Sequence, residues 1–158
     1  MNMILDELAR SLPTGQETVR VVIRLLAALL AGGIIGLQRE TSGKAAGLRT
    51  HILVCAGTTL FVLVAVGTDM QQDALSRVVQ GLATGIGFLG AGAILKVESI
   101  HQIKGLTTAA GIWMTAAIGV TIGVGQLGTA VIGTALAWLV LAVLIKVDKR
   151  IDGSTELA

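Results

Sequence analysis

Residues Leu106–Val124 read LTTAAGIWMTAAIGVTIGV: apolar throughout, without a charge, and with Gly111, Thr115, Gly119 and Gly123 recurring at every fourth position. Roughly 20 apolar residues span a hydrocarbon core of about 30 Å, so this stretch has the length of a transmembrane helix. Spacing by four puts its small residues on one helical face, where they let another backbone approach closely. Working outward, Val19–Leu37, Thr50–Thr68, Val78–Leu95 and Leu127–Ile145 have similar length and composition. The sequence therefore predicts an all-α membrane protein of five transmembrane helices joined by short loops.

The composition of the 158 residues agrees: 53% hydrophobic and 14% charged, with 21 glycines against one proline and a mean hydropathy of +0.82. A soluble domain is excluded on that balance. The expected organisation is an N-terminal periplasmic or interfacial segment over 1–18, a membrane domain over 19–146 and a cytoplasmic tail over 147–158. Met1–Leu12 carries Asp6 and Glu7 and lacks a basic start, an apolar centre and a cleavage site, so it does not read as a signal peptide. Ile4, Leu5, Leu8 and Leu12 share one helical face, which suits a short surface helix; a disordered tail is the alternative. The net charge of +2 carries no message about nucleic acid, because the basic residues sit where topology requires them. Cys55 is alone, which excludes an internal disulfide and favours a packed thiol.

Loop charge sets the orientation. Arg39, Lys44 and Arg49 lie between segments one and two, Lys96 and Lys104 between three and four, and Lys146, Lys149 and Arg150 after five. The second loop has Asp69 and Asp73 with Arg77, and the Gly125-Gln126 link is uncharged. Because Lys- and Arg-rich loops stay cytoplasmic, the N-terminus is expected outside and the C-terminus inside.

Small-residue rows recur elsewhere: Ala28, Gly32 and Gly36; Gly81 and Gly85; Thr129, Gly133 and Ala137. In lipid, where burial of apolar surface does not drive helices together, such rows supply the packing contact. Gly32, Gly36, Gly85, Gly87, Gly90, Gly92, Gly111 and Gly119 are thus the expected helix-packing positions. The run Gly85-Ile-Gly-Phe-Leu-Gly-Ala-Gly92 is richer in glycine than packing needs, which suggests a bend, a break or a very tight crossing. It lacks the Lys-Ser/Thr ending of a phosphate loop and the strand of a dinucleotide fingerprint.

Thr14-x-x-Glu17 after Pro13 forms a capping box that starts the first helix near Gly15. Arg20 and Arg24 follow one turn apart. Arg24 lies deep enough either to snorkel outward or to face the bundle, where it would need a carboxylate or carbonyls; Asp69 and Asp73 share its side of the membrane.

Two loops share a spacing. Glu40-x6-Gly47-Leu48-x-Thr50 reappears as Glu98-x6-Gly105-Leu106-x-Thr108, which suggests a parallel repeat of two helical hairpins plus a fifth helix, or a coincidence over four positions. Arg39, Glu40, Arg49, Thr50, Lys104, Thr107 and Thr108 then make a candidate cytoplasmic rim around two helix N-termini, with plain capping and orientation as the simpler reading. His51 and His101 have no second ligand at helical spacing and read as interfacial or capping side chains.

Gly36-Leu-Gln-Arg39-Glu40, Gly47-Leu-Arg-Thr-His51, the Gly85–Gly92 run, and Gly105-Leu-Thr-Thr-Ala-Ala110 with Trp113 closely resemble motifs of the MgtC/SapB family of bacterial inner-membrane proteins; Asp73 and Arg77 also match. The resemblance covers roughly Val19 to Ile145. Members with a C-terminal cytosolic domain extend well beyond this point, so the sequence reads as the short form. The resemblance implies a factor for growth at low magnesium and, in pathogens, for survival in macrophages. Its best-known member restrains the proton-translocating ATP synthase.

Three classes of function compete: a non-enzymatic regulator of other inner-membrane proteins, a transporter or channel for Mg2+ or another cation, and a membrane enzyme. The enzyme is disfavoured because no nucleophile–base pair or zinc spacing exists. Mg2+ is the one cofactor raised, and it favours carboxylates with retained waters. Glu40, Glu98, Asp69 and Asp73 lie only at segment ends. The expected associations are membrane lipids, a homodimer and other inner-membrane proteins, without nucleic acid.

Overall fold

The computed structural model describes residues 15–67, 72–97 and 102–155. These residues form five helices: α1 (Gly15–Thr41), α2 (Leu48–Gly67), α3 (Gln72–Gly92), α4 (Leu106–Val124) and α5 (Leu127–Thr155). The five apolar segments thus coincide with five helices, and the chain is an α-helical membrane protein. Three of them, α1, α2 and α4, have both the length and the apolar composition to cross a membrane, and α5 carries a shorter apolar stretch over Leu127–Val143. The first helix starts at Gly15 with Glu17 in its first turn, as expected, while Thr14 of the capping box and the 1–12 face lie outside the described residues.

One feature was not anticipated. Between α3 and α4, β1 (Leu95–Val97) pairs antiparallel with β2 (Gln102–Lys104), with Lys96 opposite Ile103. The third apolar segment accordingly ends as helix at Gly92, and Leu95 belongs to a strand. Helix α3 continues through all its glycines without a break.

The packing is small inside and large outside. Ala28, Ala31, Ile35, Cys55, Ile118, Ile122, Ala130 and Ala137 form a core shared by α1, α2, α4 and α5, and Ala46, Ile86, Ile112 and Ala116 form a second one toward α3. Leu26, Leu30 and Ile34 of α1, Leu53 and Phe61 of α2, and Val131, Ile132 and Leu136 of α5 point outward. Such an inversion suits a lipid solvent, in which bulky apolar side chains lose nothing by facing out and small residues bring backbones together. Helix α4 is central and packs on all four others.

Close approach is visible residue by residue. A Cβ on Gly32 would lie 2.6 Å from the His51 carbonyl oxygen, and one on Gly36 would lie 2.7 Å from Leu48 Cα, so α1 crosses α2 at these two glycines. The row on α4 faces α2: a Cβ on Gly119 would strike the Thr58 hydroxyl and the Cys55 carbonyl, and one on Gly123 would meet Val62. Thr59 Oγ1 donates to the Gly119 carbonyl at 2.9 Å, adding a hydrogen bond to this seam.

The glycines of α3 behave differently. Gly90 touches Ala109, whereas Gly81, Gly85, Gly87 and Gly92 meet nothing within 4 Å, and Phe88 beside them is 82% exposed. Within one copy of the chain, the expected packing role of Gly85, Gly87 and Gly92 is not seen, because α3 turns this face away from its neighbours.

Candidate functional site

The last turn of α1 delivers Arg39 and Glu40 to opposite tasks. Their side chains diverge by about 100°, as neighbours on a helix must. Glu40 lies outside the bundle and accepts the Leu48 backbone N–H at 2.7 Å, capping the start of α2. A side chain at Gly47 would collide with that carboxylate, since its Cβ would sit 2.7 Å from Glu40 Oε2. The Glu40-x6-Gly47-Leu48 spacing is therefore a capping device in the first loop; its counterpart Glu98 lies outside the described residues.

Arg39 turns inward. It is 1% exposed, and its Nη2 donates to Thr108 Oγ1 in the first turn of α4 at 3.1 Å. That bond ties the ends of the two basic loops together at one end of the bundle. One turn deeper, His51 of α2 is fully buried, with Nδ1 2.7 Å from Thr115 Oγ1. The Thr115 hydroxyl in turn donates to the Gly111 carbonyl at 2.9 Å, an arrangement in which Nδ1–H is the donor to Thr115, and the Ala46 carbonyl also bears on the ring. Gly111 makes room: its Cβ would lie 3.6 Å from His51 Cε1. Among the described residues, three buried polar atoms find no hydrogen-bond partner: Arg39 Nε, His51 Nε2 and Gln38 Oε1. The Gln38 amide is otherwise engaged, donating to the Leu141 carbonyl of α5 at 3.0 Å.

The candidate rim thus divides. Arg39 and Thr108 meet in the interior and Glu40 caps α2, while Arg49, Lys104 and Thr107 are exposed and Thr50 is half-buried. Although Arg39 and Glu40 are adjacent in the rim, they do not pair: the carboxylate accepts a backbone N–H and Arg39 turns to Thr108. His51, read from sequence as interfacial or capping, is an interior residue. His51, Cys55 and Thr59 recur at every fourth position on α2 and face the small-residue row of α4; that spacing was the available signal. Lys96 belongs to β1, and His101 lies outside the described residues.

At the opposite end, Arg24 is half-buried and faces the bundle, its Nη1 donating to the Gly123 carbonyl at 2.7 Å. It thereby satisfies a free carbonyl in the last turn of α4, where the helix dipole favours a cation. Gly125 closes that helix with φ 97°, and its backbone lies against the guanidinium. The carbonyl alternative for Arg24 is the one observed. Asp73 is exposed and makes no ion pair with Arg24 among the described residues; Arg77 Nε donates within its own turn to the Asp73 carbonyl at 3.4 Å. Asp69 lies outside the described residues. Among those described, no group of three or more His, Cys, Asp or Glu side chains is placed to hold a metal.

No solved structure matches the chain. Among characterised sequences, it is 44% identical to protein SrpB of Synechococcus elongatus over 142 residues, covering 83% of this chain and 78% of that protein. It is 41% identical to the putative magnesium transporter YhiD of Escherichia coli K12 over 146 residues, covering 85% of this chain and 65% of YhiD. It is 38% identical to protein MgtC of Salmonella typhimurium over 131 residues, covering 83% of this chain and 55% of MgtC. The chain therefore spans about two thirds of YhiD and about half of MgtC. Residues 25–150 match the model of the MgtC family, and with these relatives the match establishes that the chain belongs to the MgtC family.

Proposed function

We propose that this protein acts in the bacterial inner membrane in magnesium homeostasis and stress adaptation, as a non-enzymatic regulator of other membrane proteins. The link to magnesium rests on family membership and on the name of YhiD. One observation supports regulation over conduction: among the described residues, the charged groups directed into the bundle are the guanidiniums of Arg24 and Arg39. An Mg2+ ion about 6 Å from one guanidinium meets roughly 5 kcal/mol of repulsion at an effective dielectric of about 20. Carboxylates, which would attract the ion, lie instead on the outside at Glu40 and Asp73. Transport of Mg2+ is the alternative, favoured by the name of YhiD.

In the regulatory reading the N-terminus is periplasmic, the C-terminus cytoplasmic, and the open α3 face around Gly85 and Phe88 receives the target protein. Because Cys55 is buried, a single cysteine placed at position 44 or 73 can be labelled without background. Periplasmic reagent should reach position 73 and spare position 44; the reverse overturns the orientation. For the function, Gly85→Leu should abolish support of growth at low magnesium while abundance and melting temperature stay at parental values. Growth equal to the parent would remove the α3 face from the function.

A further inference from the structure

Helices α1 and α5 part in the half of the bundle nearest the α4–α5 turn and leave an apolar groove of about 930 Å³ between them. Ala31, Ile122 and Ala130 are its buried floor, and Leu30 and Trp138 stand exposed at its sides. The one hydroxyl in the lining, Thr134, donates to the Ala130 carbonyl at 2.8 Å and asks nothing of an occupant. Along its length the groove therefore offers apolar contact and no hydrogen bond to be met.

Its end at the α4–α5 turn is charged. Arg20, Arg24, Ala27, Ala31 and Ile34 share one face of α1, so the apolar lining runs on into two guanidiniums. On the α5 side the lining begins at Leu127, two residues past Gly125, whose backbone lies against the Arg24 guanidinium. Arg24 gives one of its five N–H donors to the Gly123 carbonyl, and no other acceptor among the described residues takes the rest. Arg20 is exposed one turn nearer the water. The first hydrogen bond of α5 runs from the Ala130 N–H to the Gln126 carbonyl, so the N–H groups before it add the positive end of a helix dipole. Glu17 lies further out on α1 and leaves this stretch net positive.

The dimensions match one leaflet. Eleven residues separate Leu127 from Trp138, about 16 Å along a helix, and half of a hydrocarbon core of about 30 Å is about 15 Å.

We propose that this groove is a binding site for one anionic phospholipid, with its phosphate on Arg24 and Arg20 and one acyl chain lying along the groove as far as Trp138. A phosphodiester is what a guanidinium recognises, and a zwitterionic headgroup would bring its ammonium toward the same arginines. The inference holds whether the protein regulates or transports.

Trp113 lies outside the groove, so Trp113→Phe leaves Trp138 as the single tryptophan and reporter. This protein is reconstituted into phosphatidylcholine vesicles, and lipid with a brominated acyl chain, which quenches indole fluorescence on contact, is added in steps. Brominated phosphatidylglycerol should half-quench Trp138 at a mole fraction about fivefold lower than brominated phosphatidylcholine, the preference expected of one basic residue at a membrane surface. Arg24→Gln should bring the two lipids together, while Lys44→Gln, at the opposite end of the bundle, should leave the preference unchanged. Equal quenching by the two lipids would mean that the groove holds bulk lipid only. Trp138 insensitive to both would mean that a second copy or another protein covers it, and an equal loss in Lys44→Gln would reduce the effect to diffuse attraction. Each of these outcomes overturns the site, and none of them requires Arg24→Gln to fold.

Discussion

Helices α3 and α4 carry glycines at the same spacing and meet opposite fates. On α4, Gly119 and Gly123 are pressed against the α2 backbone, while on α3 Gly81 and Gly85 face open space. The difference lies in what accompanies the glycines. The α4 row is interrupted by Thr115, and the facing surface of α2 presents His51, Cys55, Thr58 and Thr59, all buried. Hydrogen bonds from His51 to Thr115 and from Thr59 to the Gly119 carbonyl knit the seam. The α3 row is accompanied by Phe88, Leu89 and Ala91, which have no use for a buried neighbour inside this chain. A glycine row permits close approach; matched polar groups across it decide that the approach happens.

The largest expected effect that would break this comparison is at Gly119. Gly119→Leu must push the Cys55 carbonyl aside, costing packing and strain on the order of 1–3 kcal/mol, and the melting temperature in detergent should fall by several degrees. Gly85→Leu is the control and should melt like the parent, since leucine also has the better helix propensity. Equal melting of the two variants would mean that both rows look at lipid. Thr59→Val keeps the shape and removes one hydrogen bond, with an expected loss of about 1 kcal/mol. The smallest effect belongs to Arg24 and Asp73. Because Arg24 is held by the Gly123 carbonyl, a double-mutant cycle with Asp73→Ala should be additive within about 0.5 kcal/mol; coupling above that value would place the two charges together.

Much of the fold was legible because lipid imposes a coarse rule: apolar stretches of spanning length become helices, and Leu106–Val124 and Leu127 onward were bounded correctly by Gly105 and Gly125. Both of these glycines adopt positive φ, the ordinary signal for a helix boundary. Less legible was which residues turn inward. Arg39 and Glu40 read as one charged pair at a loop, yet a helix separates adjacent side chains, and one reached the interior while the other capped α2. The acceptor for Arg24 could not be read at all, since a backbone carbonyl about a hundred residues away leaves no sequence mark. The β1–β2 hairpin escaped because Leu95 reads as the end of the apolar run of α3 and strands of three residues are too short to show an alternating pattern.

The central functional claim is that the interior, held by Arg24 and Arg39, does not conduct Mg2+. Reconstitution into liposomes that enclose a magnesium-sensitive dye, with an inward Mg2+ gradient, tests it most directly. The account predicts dye signals that match protein-free vesicles. Saturable Mg2+ entry that depends on the protein and disappears in Asp73→Asn or Glu40→Gln would contradict it and make the protein a transporter.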